Sequence, residues 1–411
     1  MSVFSPDEIR TLRSRFPILS RTVHGKALVY LDSAASSQVP ESVISAEANF
    51  QRTLRANVHR GVHTLSQEAT EVHEGLRDRI QKLVGASRRE EIVFARGTTE
   101  AINLVAWTFG RQKLDAGDVV LAGELEHHAN LVPWQIVAPQ KGALVEKIPA
   151  LDDGTLDFRA FLSLLDSRPV KILALQHVSN ALGTVHPIQR FVAEARSRGI
   201  ATLVDAAQSL PHMAVDVGAV GCDFLAFSAH KMYGPTGLGF LYGRHELLEA
   251  MPPWQGGGDM IDRVSFSGTT FHEPPWRFEA GTPNYVAAPG MHAALDFREE
   301  IGIDRIRERE TELLRYALSA LEGIPGLRII GSPPERAAVV SFVLEGIHHY
   351  DAGVFLDQMG IAVRTGHHCA QPAMDRYGVT GTIRASFAVF NTEEEIDLLA
   401  AGVRRLRKLL G

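Results

Sequence analysis

The chain has 411 residues, 45% of them apolar and 22% charged, with a formal charge of -6; that is ordinary globular composition, and its mild, unclustered charge speaks against nucleic acid, which needs a concentrated basic surface. No apolar run approaches the roughly 20 residues that span a bilayer, and Met1–Phe16 mixes Asp7, Glu8, Arg10, Arg13 and Arg15 into its apolar residues, unlike a secretory signal. Two cysteines, Cys222 and Cys369, exclude a disulfide framework, so a cytoplasmic protein with no membrane partner is expected and an unpaired thiol becomes a candidate for chemistry.

From Glu91 to Gly243, short Val/Ile/Leu-rich runs alternate with longer mixed segments. The runs are Glu91–Ala95, Asp118–Ala122, Lys171–His177, Ala201–Asp205, Phe224–Ser228 and Gly239–Tyr242, and they predict a largely parallel sheet. Helical patterns such as Glu100–Phe109 and Ile188–Arg198 supply the crossovers. Residues 256–281, rich in Gly, Pro and Thr but carrying Phe266, Phe271, Trp276 and Phe278, predict an irregular, ordered excursion. A long helical pattern then runs from Val286 through Leu321, followed by strands near Ala338–Leu344 and Ile361–Val363 and an amphipathic helix over Glu393–Leu410. The expected fold class is α/β, with a large domain over residues 25–290 and a smaller α+β domain over 291–411, residues 1–24 packing near the latter.

The strongest chemical signal is a carboxylate at the end of one buried strand, Asp205, with Lys231 just past another, 26 positions on. Open α/β sheets bind ligands at such strand ends. A lysine amine that forms a Schiff base and an acid that keeps a pyridinium nitrogen protonated are the pair that pyridoxal phosphate chemistry needs. The turn Arg96-Gly-Thr-Thr-Glu100 lies between a strand and a helix and suits an anion such as the cofactor phosphate; Thr98 and Thr99 add hydroxyls, although a threonine there also serves as an ordinary helix cap. In Glu124-Leu-Glu-His-His128, adjacent histidines at a strand end point in different directions, so His127 and His128 do not share a task; one imidazole can lie over the ring. The same geometry argues against a metal at His348-His349 or His367-His368, and no metal is expected. Cys369, in the loop Arg364-Thr-Gly-His-His-Cys-Ala370, is a nucleophile candidate, exposed by its loop and flanked by imidazoles; Cys222, before an apolar strand, reads as a small packed residue. Arg384 offers a planar guanidinium for a substrate carboxylate, or a plain salt bridge.

Together these residues resemble the SUF-type cysteine desulfurases of the class V aminotransferase family. The likeness runs from Tyr30-Leu-Asp-Ser-Ala-Ala35 and Asn57-Val-His-Arg-Gly-Val-His63 to Phe387-Ala-Val-Phe-Asn391. It is most specific at Ser228-Ala-His-Lys-Met-Tyr-Gly-Pro235, Arg277-Phe-Glu-Ala-Gly-Thr-Pro283 and Arg364–Ala370. The resemblance implies the fold-type-I architecture of pyridoxal phosphate enzymes and a homodimer. It implies Lys231 as the Schiff-base lysine, Asp205 as pyridinium partner, His128 as the stacking group and Gln208 as donor to the phenolic oxygen. Thr98, Thr99, Ser228 and His230 would hold the phosphate, with Thr282 reaching it from the other subunit. Asn180, Arg384 and Arg364 would position the carboxylate of L-cysteine. The implied reaction turns L-cysteine into L-alanine: Lys231 takes the Cα proton, Cys369 attacks Sγ to become a persulfide, and a SUF-type acceptor protein collects the sulfur for iron-sulfur cluster assembly. Selenocysteine lyase or cysteine-sulfinate desulfinase activity is the nearest alternative, and transamination by a related class V enzyme leaves Cys369 unexplained.

Overall fold

The computed structural model describes residues 3–410; residues 1, 2 and 411, at the outer ends of the expected domains, lie outside the described residues. Seven strands form the principal sheet, in the spatial order Ile92–Ala95, Gly239–Gly243, Phe224–Ser228, Ala201–Asp205, Val170–Gln176, Val119–Gly123 and Leu144–Ile148. All neighbours pair in parallel except Gly239–Gly243, which runs antiparallel to both its partners. Its interior strands read as unbroken apolar runs because helices cover both faces, leaving no polar side to alternate with. Leu144–Ile148 escapes such a reading: it is an edge strand whose Glu146 and Lys147 face partly into solvent.

The long helical pattern after Val286 is two helices, Ala287–Ile301 and Ile303–Leu321, divided at Gly302, whose φ of 87° no right-handed helix accommodates. Within the excursion 256–281, Ile261–Ser265 and Gly268–Phe271 form a hairpin that projects its side chains into solvent.

A second, antiparallel sheet has the order Leu327–Ile329, Val339–Leu344, Thr382–Ser386, Arg364–Gly366. The run expected as a strand near Ile361 pairs in parallel with Val29–Tyr30, and Val29 and Leu31 are buried in the core of this second sheet beside Leu313, Val340, Phe342 and Leu356. The closing helix, Glu393–Leu410, packs Ile396, Leu399, Val403 and Leu406 into the same core.

Between the sheet and its helices lie several buried histidines. Burial pulls His73 and His186 down to about 3 and His177 down to about 4, so they remain neutral in the folded chain near neutral pH. Unfolded histidine titrates near 6.5, so from about pH 6.5 down to about pH 4 the unfolded chain binds protons that the folded chain refuses. Glu126 acts in the opposite sense, since burial raises its carboxyl to about 8 and it ionises on unfolding. The three rings outnumber it, and each is worth up to about 1.4 kcal/mol per pH unit. Denaturant unfolding should therefore give a lower stability at pH 5 than at pH 7; equal or higher stability at pH 5 would contradict the neutral burial of these rings.

Candidate active site

The parallel strands deliver their carboxyl ends to one edge of the sheet, and the candidate residues sit there. Asp205 closes the strand Ala201–Asp205, and Lys231 lies on the short turn Ala229–Lys231 that follows Phe224–Ser228. They line a cleft of about 230 Å³ together with Thr98, Thr99, His127, Asn180, Gln208, Ser228, His230, Arg364, Cys369 and Arg384. Residues from both sheets thus meet in one cavity.

Burial and charge set the protonation at its floor. Burial lowers the Lys231 ammonium, Asp205 opposes that shift, and the nearby Arg384 adds to it, which brings the amine closer to its nucleophilic form. Asp205 is raised by burial, against the pull of Lys231 and of the Ala207 N–H, which donates to its Oδ1 at 2.9 Å. Burial and the Lys231 charge hold His127 down at about 3 and His230 at about 4. Both rings are neutral at physiological pH.

The glycine-threonine turn is built as a cradle. Ser228 Oγ accepts from the Thr98 N–H at 2.8 Å and lies 2.7 Å from Thr98 Oγ1, while Thr99 remains exposed. Gly239 allows this approach: a Cβ there would lie 2.4 Å from the Gly97 Cα. The side wall is supplied by Arg384, which donates from Nη1 to the Asn180 carbonyl at 2.8 Å and from Nη2 to Asp32 at 3.0 Å. Arg364 reaches the same carboxylate through Nε at 3.2 Å. Buried Asn180 Oδ1 and Arg384 Nε have no protein partner, so both are available to a bound polar group.

The Cys369 loop is held from the opposite bank. His128 N–H donates to the Cys369 carbonyl at 2.7 Å, and Asn180 Nδ2 donates to the His368 carbonyl at 2.6 Å. His368 and Cys369 have φ of 52° and 54°, an uncommon left-handed pair for residues with side chains. Cys369 is exposed, whereas Cys222 is buried with its thiol pushed up to about 12 by burial.

One expectation is corrected. His127, not His128, lines the cleft; His128 stands at the rim, where its Nε2 accepts from the Gln371 N–H at 3.1 Å and its ring lies 5.6 Å from that of His367. The reason is local: His127 caps the turn His128–Asn130, its Nδ1 accepting from the Ala129 N–H at 3.0 Å, which turns its ring inward and sends its neighbour outward. Thr282, expected to reach the phosphate from the other subunit, lines a separate cavity of its own chain with Phe94, Arg96 and Glu100.

Residues 29–399 match the family described as aminotransferase class-V. The chain belongs to this family. It is 52% identical over 404 residues to a cysteine desulfurase of Serratia proteamaculans, covering 98% of this chain and 99% of that one. Among solved structures it superposes on the Escherichia coli cysteine desulfurase CsdA with a TM-score of 0.90 at 41% identity, covering 98% of this chain and 99% of the other. The cysteine desulfurase of Thermococcus onnurineus gives a TM-score of 0.92 at 39% identity over 99% of this chain and all of that one.

This class V chain has further residues near the cleft that the sequence did not single out. Glu126 is buried beneath it, accepting from the Asn130 side chain at 2.7 Å and the Gln176 N–H at 2.9 Å; a buried glutamate before two histidines was the available signal. Elsewhere, His59, His73 and Glu74 bring possible ligand atoms within 4.8 Å of one another, but Glu74 already pairs with Arg77 and Arg89, whose charges oppose a metal cation. The placement of the histidines predicts that His127→Ala lowers kcat on the order of a hundredfold and His128→Ala by less than about tenfold. Steady-state rates in which the two effects were reversed would overturn it.

Proposed function

We propose that Cys369 takes the sulfur of L-cysteine as a persulfide while Lys231 serves as both cofactor anchor and Cα base, in a homodimer that passes sulfur to a SUF-type acceptor in the cytoplasm. The overall activity is that of a cysteine desulfurase, a pyridoxal phosphate enzyme. The observation that carries the residue assignment is that an exposed thiol from the loop of one sheet and a half-buried lysine from the end of the other line the same cleft.

The residues present fit the cofactor. Lys231 would hold it covalently, Asp205 would face its ring nitrogen, His127 its ring, and Gln208 its phenolic oxygen; Thr98, Thr99, Ser228 and His230 would take its phosphate. When bound, pyridoxal phosphate supplies an electron sink adjacent to the substrate Cα. Arg384, with its unpartnered Nε, orients the substrate carboxylate beside Asn180, whose unpartnered Oδ1 can accept from a donor of the bound substrate, and Arg364 closes over it. Lys231, its ammonium destabilised by burial, is suited to receive the Cα proton. Cys369 thiolate then attacks the substrate Sγ; an S–S bond forms, the Cβ–S bond breaks, and its electron pair is protonated on carbon to leave alanine. The neutral His127 ring can carry a proton within the cleft.

Thr282 lies in a cavity apart from its own chain's cleft, so a role for its hydroxyl at the phosphate requires a neighbouring copy of the chain. An exposed, unpaired thiol supports a reducing compartment and a protein acceptor that can approach it.

Alanine and sulfide released from L-cysteine with a reductant present test the reading. Cys369→Ala and Lys231→Ala should each lose at least about a hundredfold in rate, with the cofactor absorption kept in the cysteine variant and lost in the lysine variant. Full cysteine activity in Cys369→Ala would shift the assignment to a lyase acting on selenocysteine or cysteine sulfinate.

A further inference from the structure

A second cavity, of about 720 Å³, shares no lining residue with the cleft of Lys231 and Cys369. One face of the helix Ile303–Leu321 presents Arg307, Thr311 and Arg315 to it at intervals of four residues. The edge strand Leu327–Ile329 supplies Arg328, and the loop leading into Val339–Leu344 supplies Arg336. Backbone bonds fix that loop on either side of Arg336: the Val185 N–H donates to the Glu335 carbonyl at 3.1 Å, and the Ala337 N–H to the Gly183 carbonyl at 2.8 Å.

Four guanidiniums and three carboxylates line this cavity. Arg307 pairs with Glu335, and Asp152 pairs at 2.6 Å with Arg376, which stands outside the lining. Glu310 lies 2.7 Å from His212 Nδ1. Arg315 and Arg328 are exposed and have no ion-pair partner among the described residues, while half-buried Arg336 has only the Gly331 carbonyl. Setting Glu310 in full against one of these three arginines still leaves two positive charges unmatched in one cavity. Burial lowers the Arg336 guanidinium from its ordinary value, a cost that an anion beside it would offset. The residues assigned to the cofactor and its phosphate line the other cavity, so they do not enter this balance.

We propose that this cavity is a second binding site, for a small molecule that carries two or more negative charges on phosphate or carboxylate groups, held by Arg315, Arg328 and Arg336. Guanidinium forks match phosphate and carboxylate oxygens bidentately, and three of them from a helix, a strand and a fixed loop surround an anion that none could hold alone. The volume falls within the range of roughly 300–1,000 Å³ usual for small-molecule sites. The site goes beyond the desulfurase reading and does not depend on it.

Calorimetric titration of the cofactor-loaded enzyme with pyrophosphate and, separately, with citrate reads the site, since loading fills the phosphate cradle of the cleft. At least one probe should bind with a Kd below about 1 mM at about 0.1 M salt. Pyrophosphate binds the tighter if the natural occupant is a phosphate compound, and citrate if it is a polycarboxylate. Arg315→Gln/Arg328→Gln should weaken binding by at least about tenfold, and Arg328→Gln alone supplies the test, with a weakening of at least about threefold, if the double variant does not fold. Arg405→Gln/Lys408→Gln removes the same charge from exposed positions of the closing helix outside the cavity and should change the Kd by less than about twofold. No saturable binding of either probe overturns the proposal. So does a Kd in the cavity variant that weakens by less than these amounts, or a loss of equal size in the helix control.

Discussion

Two backbone carbonyls hold the architecture of the site together. Those of His368 and Cys369 accept from the Asn180 side chain and the His128 N–H, and through them a loop of the small antiparallel sheet is fastened to strand ends of the large one. His368 adds a third tie, its Nε2 lying 2.8 Å from Thr382 Oγ1. The loop accepts two successive left-handed residues in return, a conformation costing on the order of 1–2 kcal/mol per residue for side chains larger than glycine. That strain persists because partners on both sides fix it, and its result is an exposed thiol in the same cleft as the half-buried Lys231.

Burial divides the titratable groups by task. Cys222 and Cys369 have the same chemistry, yet one is sealed in a core that raises its thiol and the other stands at a cleft mouth. Lys231 and Asp205 temper each other's burial across the cleft floor, while Arg364 and Arg384 share Asp32 at its wall. Glu126, raised to about 8 chiefly by burial, is a neutral acid at neutral pH and braces the His127 turn through Asn130 and the Gln176 backbone without adding charge.

Much of this was legible in the chain. Interior strands such as Ala201–Asp205 and Phe224–Ser228 are buried on both faces and announce themselves as apolar runs, so Asp205 and Lys231 could be placed at strand ends. The edge strand Leu144–Ile148 was hidden by its charged residues, and the antiparallel direction of Gly239–Gly243 is a matter of topology that composition does not encode. Gly302 lay unnoticed in a helical pattern because periodicity continues across a break that only its backbone angle reveals. Adjacent His127 and His128 could be said to diverge but not which one turned inward, since that depends on a capping bond at Ala129. Asp32 was visible only as part of a motif; its two arginine partners are more than 330 residues away in sequence.

The destination of the sulfur tests the account most directly. The enzyme, incubated with L-cysteine in the absence of reductant, then alkylated, digested and mapped by mass spectrometry, should carry one additional sulfur atom on the peptide containing Cys369 and none on that containing Cys222. Alanine formed without any sulfur retained on Cys369, or sulfur found on Cys222, would contradict it.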